Sequence, residues 1–344
     1  MYFSIDSNPR RGILGDPRIA RISQGAEGRY ADIKIDVAFK IVFGAPAHVD
    51  ILIQMLECLI PGKKISSIEF MDKEIPGFFA IEKKTIFDLY CKTPEGDSFV
   101  VEMQLSGESF FTDRVLFYST YPIREQLITP LEEARLVDGM KKKRPGSYKL
   151  SPVYMVSILN FRLPHADESC LREGLVSAYS IRSDKGSEEM TDALHFVYLE
   201  LDRLPCTMDQ PEKCKTMLQK LAYSFKYLSY LDERPSSFKE GLFRRIFEAA
   251  ELANMTSAQR QQYDKEMTTA IDEVARLDYA TEKGFQQGIQ QGIQQGIQQG
   301  IQQGIQQGRR EEKLLLARKL GAKGMGLDEI GQLTGLDTED LKTL

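Results

Sequence analysis

Histidine is scarce in this chain of 344 residues, which has only His48, His165 and His195. Their positions show none of the short spacings typical of zinc ligands, so a zinc site is not expected. The five cysteines include no Cys-x-x-Cys pair, and their odd number, with no signal peptide, predicts reduced thiols in the cytoplasm. No apolar run approaches the length of a membrane span, so no membrane contact is expected.

An excess of positive charge is also missing. The chain has 45 Lys and Arg against 50 Asp and Glu, a net charge of −5, which argues against a surface coated with basic groups for nucleic acid. A local basic groove is compatible with that balance. Candidates for such a groove are Lys141–Arg144 and four arginines near the start (Arg10, Arg11, Arg18 and Arg21). The chain also lacks a Gly-rich phosphate loop followed by Lys-Ser/Thr and a nucleophile elbow, so neither a P-loop enzyme nor a Ser/His/Asp hydrolase is indicated.

The segment from Thr85 to Leu105 predicts two strands joined by a tight turn. Pro94, Glu95 and Gly96 have turn chemistry, and glycine suits the positive-φ position of a three-residue loop. The residues that flank the acids of this segment are apolar, which predicts that both strands are half buried.

Each of these strands carries an acidic residue, which a half-buried strand does not favour. Closure of the loop by Thr93 and Asp97 would set the register of the hairpin. In that register Asp88 lies directly opposite Glu102, with the two Cβ atoms about 5 Å apart. Glu102 and Gln104 then share one face, because side chains alternate along a strand. Two carboxylates held together in this way share a proton or hold a cation.

This hairpin resembles the pattern of PD-(D/E)XK metal-dependent nucleases, which have an Asp on one strand and Glu-x-Lys on the next. Here Gln104 stands in the lysine position. Upstream, the stretch Asp36–Gly44 (DVAFKIVFG) is similar to the D-x-x-F-K-x-x-F-G opening of one branch of that superfamily. That branch is the recombination-promoting nuclease (Rpn) family, also called PD-(D/E)XK nuclease family transposase. Further matches are Arg114, Tyr118, the strand at Pro152–Phe161 and Leu199–Arg203, where the family usually has Lys in place of Arg203. The resemblance covers roughly residues 30–344.

The resemblance implies a PD-(D/E)XK core, in which a central mixed sheet is flanked by helices and the acids gather at one sheet edge. It also implies a Mg²⁺-dependent enzyme that acts on DNA, with Mn²⁺ or Ca²⁺ as substitutes. Asp36, Asp88 and Glu102 would hold the metal. Gln104 is neutral and cannot act as a base, so it would orient the attacking water by hydrogen bonds. Substrate contacts would come from Lys40, Arg114 and Tyr118.

The α/β class follows from the patterns themselves. Apolar spacing predicts helices at residues 32–43, 48–60 and 108–128 and buried strands at 152–161 and 195–202, and the pattern becomes helical from about residue 211.

Five parts are predicted along the chain. A loose N-terminal arm (1–30) precedes the nuclease-like α/β core (31–205), which is followed by a helical extension (206–283), a Gly-Ile-Gln-Gln repeat (284–308) and a C-terminal helical hairpin (309–344).

The repeat places glycine at every fourth position from Gly284 to Gly308, with isoleucines from Ile289 to Ile305. A spacing of four exceeds the helical period, so the isoleucine stripe would advance by about 40° per repeat and favour a right-handed supercoil. Seven glycines at roughly 1 kcal/mol each would also destabilise a lone helix. Two interpretations are open: a helix that pairs closely with a second copy and makes a homo-oligomer, or a flexible linker.

The last part of the chain resembles a helix-turn-helix, with Asp328 and Asp337 at positions that suit N-caps. Its last helix offers mainly acidic side chains, and residues 309–344 carry seven basic and seven acidic residues. A structural or interaction hairpin is therefore favoured over a DNA reader.

Taken together, these features predict a Mg²⁺-dependent DNA endonuclease that works in DNA recombination, in mobile-element biology or in defence against phage. Two alternatives stay open. One is a scaffold of the same fold with little or no catalysis that acts through C-terminal oligomerisation. The other is a DNA-binding regulator that uses the C-terminal hairpin.

Overall fold

The structure is a computed structural model, which describes residues 28–71, 74–75, 85–136, 149–186 and 188–341. The predicted N-terminal arm, apart from residues 28–30, and the basic candidates at 10–21 and 141–144 lie outside these residues. The described chain divides into two compact units, one that ends at Asp272 and one that begins at Glu273. Within the described ranges, no helix has both the length and the apolar character needed to cross a membrane.

The described residues form eight α-helices. They are α1 (Asp36–Phe43), α2 (Val49–Leu59), α3 (Phe111–Leu136), α4 (Met217–Tyr227), α5 (Gly241–Ala249), α6 (Ser257–Gly321), α7 (Leu327–Thr334) and α8 (Thr338–Leu341). The three helices predicted before residue 130 are therefore present, and the chain is helical after residue 216 as expected.

The strands form a mixed sheet of six and a separate pair. They are β1 (Glu69–Phe70), β2 (Glu74–Ile75), β3 (Thr85–Ile86), β4 (Leu89–Lys92), β5 (Ser98–Gln104), β6 (Val153–Leu159), β7 (Val176–Arg182) and β8 (Glu189–Glu200). The large sheet has the order β1-β4-β5-β6-β8-β7, and β2 pairs with β3. The inner strands β5, β6 and β8 are parallel, whereas β1, β4 and β7 are antiparallel to their neighbours. The α/β prediction is thus confirmed, although β1, β2 and β7 were not predicted.

The central strands are buried on both faces, as expected for parallel strands covered by helices. All seven residues of β6 are buried. On one face Phe99 and Val101 of β5 join a core with α1, α2, α4 and α5. On the other face Val100 packs with Phe111 and Val115 of α3. Because side chains alternate along β5, Glu102 points to the same face as Val100, which is the face that α3 covers.

The hairpin between β4 and β5 has the predicted register. Leu89 pairs with Val101, and the amide N–H of Thr93 donates to the carbonyl of Asp97 over 2.9 Å. Gly96 has a φ of +99°, so glycine is favoured at this position of the turn. A Cβ atom there would also come within 2.9 Å of the Ser151 hydroxyl.

The parallel strands end together at one edge of the sheet. Gln104, Leu159 and Glu200 pair in one row at the carboxyl ends of β5, β6 and β8. Glu200 is fully buried, and its carboxylate accepts hydrogen bonds from the Leu163 amide at 2.8 Å, the Arg203 Nε at 2.6 Å and the His165 Nε2 at 2.5 Å. This carboxylate therefore ties the segment after β6 and the turn after β8 to the sheet edge.

The repeat lies inside the continuous helix α6, so the structure has the helical form and not the linker. Its isoleucines are 48 to 59% exposed. Farther along, Ala317, Ile330 and Leu336 make a small core between the end of α6, α7 and the turn after α7.

The two N-caps predicted for the last helices differ in outcome. Asp337 accepts the amide N–H of Asp340 at 2.8 Å and caps α8 as predicted. The prediction for Asp328 was wrong, because Gly326 precedes α7 and Asp328 lies inside its first turn, where it still suits the helix dipole.

Loss of the Glu200 carboxylate should weaken the fold. Glu200→Ala removes the carboxylate that the buried Arg203 and His165 side chains share, so we expect the free energy of unfolding to fall by about 3 kcal/mol. Glu189→Ala, an exposed acid on the same strand, is the matched control and should change it by less than about 0.5 kcal/mol. Urea denaturation measures both, and equal losses for the two variants would contradict the assigned role of Glu200.

Candidate functional site

Asp88 sits at the bend immediately before β4. Its Oδ2 accepts the main-chain N–H of Met103 over 2.8 Å. Continuing the register by one residue from Leu89 and Val101 places Asp88 opposite Glu102, as the sequence predicts. The hydrogen bond holds the Asp88 carboxylate against β5 beside Glu102.

Glu102 is 6% exposed and lies on the α3 side of the sheet. Burial, followed by repulsion from the Asp88 carboxylate, raises the pKa of Glu102 to about 7, and the Arg114 guanidinium offsets only part of that rise. The Gln104 side chain donates from Nε2 to Glu102 Oε2 at 3.2 Å. Near neutral pH this carboxyl group therefore exchanges readily between its charged and neutral forms.

Arg114 connects the strand to α3. Its Nη2 donates to Gln104 Oε1 at 2.7 Å, and its Nη1 pairs with Glu108 Oε2 at 2.6 Å. Its guanidinium carbon lies 5.8 Å from the ring centre of Phe111 and 6.0 Å from that of Tyr118. The Nε atom is buried and has no hydrogen-bond partner among the residues described. An unsatisfied buried donor is costly, and this one is enclosed by the protein, so an external ligand reaches it only if the side chain moves.

Tyr118 lies one helical turn beyond Arg114. Its ring packs edge-on against Phe87 at 6.1 Å. Burial raises the pKa of Tyr118 by more than the nearby Arg114 lowers it, so the phenol stays protonated and can donate a hydrogen bond. Asp88, Glu102, Gln104, Arg114 and Tyr118 thus form one cluster between the hairpin and α3.

Asp36 and Lys40 belong to another element, α1. They form an ion pair at 2.6 Å on α1, as their spacing allows. Both line a pocket that also includes Gln259, Gln262 and Glu266 from the start of α6. Within the described part of the chain, the oxygens of Asp36, Asp88 and Glu102 do not form a group within 4.8 Å of one another.

Glu108 is a neighbour of the cluster that sequence reasoning missed. It lies in the loop before α3, is half exposed, and contributes to the raised pKa of Glu102. Nothing in a lone loop glutamate marks it in advance, because its contact with Arg114 depends on how the loop folds back.

A different group of side chains in the described ranges has the geometry of a metal site. Glu189, Asp192 and His195 each place one ligand atom within 4.8 Å of the others. An irregularity in the pairing of β7 with β8 brings them together. The imidazole of His195 donates to Asp192 Oδ1 at 2.8 Å and stacks on Tyr154. These contacts and the exposure of both acids account for the group without an ion.

The cluster around Asp88 fits a divalent cation better. Its two carboxylates offer the hard oxygen ligands that Mg²⁺ prefers. Their close approach costs repulsion, which shows in the raised pKa of Glu102 and which a cation would relieve.

The chain matches the model of one protein family, PD-(D/E)XK nuclease family transposase, over residues 33–280. A mixed sheet of six strands flanked by helices agrees with a nuclease of this class. The chain belongs to the PD-(D/E)XK nuclease family transposases, which confirms both the fold and the resemblance seen in the sequence. No curated protein and no solved structure shows a significant match.

The Glu102 carboxyl group should make stability depend on pH. Its pKa is about 7 in the fold and near 4.3 in an unfolded chain, so the folded state binds the proton more tightly. With EDTA present, the free energy of unfolding should therefore fall, by up to about 3 kcal/mol, as pH rises from about 4.5 to about 7. Urea denaturation at several pH values measures this change in the free energy of unfolding.

Two variants isolate this effect. Glu102→Gln should lack this part of the pH dependence, because glutamine does not titrate. Glu189→Gln, which alters an exposed acid, should keep the wild-type slope. Parallel slopes for Glu102→Gln and the wild type between pH 5 and 7 would rule out a shifted Glu102.

Proposed function

We propose that this protein is a Mg²⁺-dependent DNA endonuclease that hydrolyses phosphodiester bonds and acts in recombination, in mobile-element biology or in defence against phage. The observation that carries the proposal is the paired carboxylates of Asp88 and Glu102, which share a half-buried site with Gln104 and Arg114. Membership of a nuclease family supports the reaction class.

Each side chain has a proposed role. Asp88 and Glu102 hold the metal, which when bound supplies an acidified water and stabilises charge on the phosphate. Gln104 orients the attacking water, since its amide can donate and accept but cannot remove a proton. Arg114 donates to a phosphate oxygen from the exposed part of its guanidinium, and Tyr118 adds a hydroxyl donor.

The positions of Asp36 and Lys40 give them a lesser role in the proposal. Both were predicted as site residues, and in the structure they pair with each other beside α6. A role as a third metal ligand or phosphate contact would require Asp36 or Lys40 to exchange that partner. Loss of Asp36 should therefore cost less activity than loss of Asp88.

We also propose that the protein is a homo-oligomer through the repeat in α6. The exposed isoleucines from Ile289 to Ile305 form a long apolar stripe. Among the described residues, no heavy atom outside the helix lies within 4 Å of where a Cβ of these glycines would stand. A second helix can therefore approach the backbone closely along this stripe.

Cleavage of supercoiled plasmid tests the nuclease. Wild-type protein with Mg²⁺ should nick the DNA, EDTA should stop it, and Asp88→Asn should lower the rate at least about 100-fold because a metal ligand is lost. Asp36→Asn is the informative comparison and should retain more activity than Asp88→Asn.

A folded wild-type protein that cuts no DNA with Mg²⁺, Mn²⁺ or Ca²⁺ would contradict the proposal and favour a scaffold that works through the exposed stripe of α6. A loss in Asp36→Asn equal to that in Asp88→Asn would mean that Asp36 belongs to the metal site.

Sedimentation velocity tests the oligomer. The full-length protein should sediment as a dimer or larger, and the triple variant Ile293→Gln, Ile297→Gln, Ile301→Gln should shift to monomer because the apolar stripe is lost. The matched control replaces the three neighbouring glutamines, Gln294, Gln298 and Gln302, with alanine. It should keep the assembly, and a monomeric wild type at micromolar concentration would refute the proposed oligomer.

A further inference from the structure

Phe110 has an unusual backbone. It immediately precedes α3 and has a φ of +63°, in the left-handed region that bulky residues rarely occupy. An L-residue in this region is strained by crowding of its Cβ, which glycine would avoid. The chain nevertheless has a phenylalanine where a glycine would fit with less strain.

The Phe110 side chain is not buried in the fold, so packing does not offset this backbone strain. It is 78% exposed, whereas the next residue, Phe111, is 4% exposed and packs in the core under α3. The other non-glycine residue with positive φ in the described ranges is Glu173, whose carboxylate accepts the Thr216 hydroxyl. Phe110 thus combines backbone strain with an aromatic ring that remains in water. Strain without structural benefit is found at functional sites.

The position of Phe110 connects it to the candidate site. Its carbonyl accepts the main-chain N–H of Arg114 at 3.0 Å, one helical turn on. Arg114 in turn bonds Gln104 beside Glu102. Phe117, three residues beyond Arg114, is 53% exposed. An exposed aromatic therefore stands on each side of Arg114 along the start of α3.

Exposed aromatics around a cation are the combination that binds unstacked nucleobases. A base stacks on the ring, and the arginine takes the neighbouring phosphate. In a duplex, the faces of each base are covered by the neighbouring base pairs of the stack. A protein ring can therefore stack on a base only where the DNA is single-stranded or locally opened. The alternative that the ring covers other parts of this chain disagrees with its exposure.

We propose that Phe110 is a stacking residue that receives an unstacked DNA base next to the phosphate at Arg114. The preferred substrate is then single-stranded or locally opened DNA in place of intact duplex. This inference rests on the proposed nuclease function, because it takes the Asp88 cluster as the site where the phosphate lies.

Binding by fluorescence anisotropy tests the inference, with a labelled 20-nucleotide strand and a blunt duplex of the same sequence. The full-length protein carries Asp88→Asn and is kept in EDTA, so that no strand is cut and one like charge is removed. Phe110→Ala should weaken single-strand binding about tenfold and duplex binding less than twofold. Phe110→Tyr, which keeps a ring, should stay within about twofold of the parent.

Met190→Ala is the control for loss of an exposed apolar side chain. Met190 is also 78% exposed and lies at the start of β8, opposite to the strand end that carries Glu200. It should leave both affinities within about twofold of the parent.

Phe110→Gly separates binding from folding. Glycine relieves the strained φ, so this variant should raise the Tm by about 2–4 °C and still lose the single-strand affinity. A lower Tm would assign Phe110 a structural role and overturn the inference.

The outcomes distinguish this inference from the proposed nuclease. Single-strand affinity that is unchanged by Phe110→Ala, or an equal loss for duplex, overturns the stacking role and leaves the nuclease standing. Binding that depends on Phe110 without any metal-dependent cleavage by the wild type overturns the nuclease only. Absence of single-strand binding by the parent protein overturns the stacking role, and the plasmid assay with Mg²⁺ then decides the nuclease.

Discussion

The hydrogen bond from the Met103 main chain to Asp88 is the contact on which the candidate site depends. It fixes the Asp88 carboxylate against β5 although the neighbouring Glu102 repels it. The main-chain N–H holds Asp88 in place, whereas burial and the nearby Asp88 charge raise the pKa of Glu102. The site is therefore asymmetric: one carboxylate is held by the main chain, and the other is sensitive to pH and to cations.

The sheet makes this arrangement sterically feasible. Alternation along β5 sends Phe99 and Val101 into one core and leaves Glu102 and Gln104 facing α3. The start of α3 then provides Arg114, the one cation in direct contact with Gln104 among the described residues. At the same edge, Glu200 anchors the segment after β6, whose Phe161 ring packs edge-on against Phe111 at 5.7 Å. The neighbouring strands β5 and β6 thus both support the site. Strand β5 carries Glu102 and Gln104, and the segment after β6 packs against the start of α3.

The hairpin and its pair of acidic residues were the part of the site that could be predicted from the sequence. The Pro-Glu-Gly turn determines the hairpin register through Gly96, and that register alone brings Asp88 and Glu102 together. The place of Asp36 could not be predicted, because it depends on how α1 packs against the start of α6 through contacts such as Val37 with Glu266. Glu108 and β7 were missed for a related reason. A loop contact and an exposed, irregular strand leave no periodic pattern.

If the proposed function holds, the charges of the site imply that cation and DNA bind cooperatively. Asp88, Glu102 and Glu108 outnumber Arg114, so the phosphate of an approaching strand meets net repulsion when no cation is present. A bound cation would remove that repulsion and would free Arg114 for the phosphate. Linkage is reciprocal, so DNA must tighten cation binding by the same factor by which the cation tightens DNA binding. The raised pKa of Glu102 then acts on both steps, because its proton competes with the cation at one of the two proposed ligands.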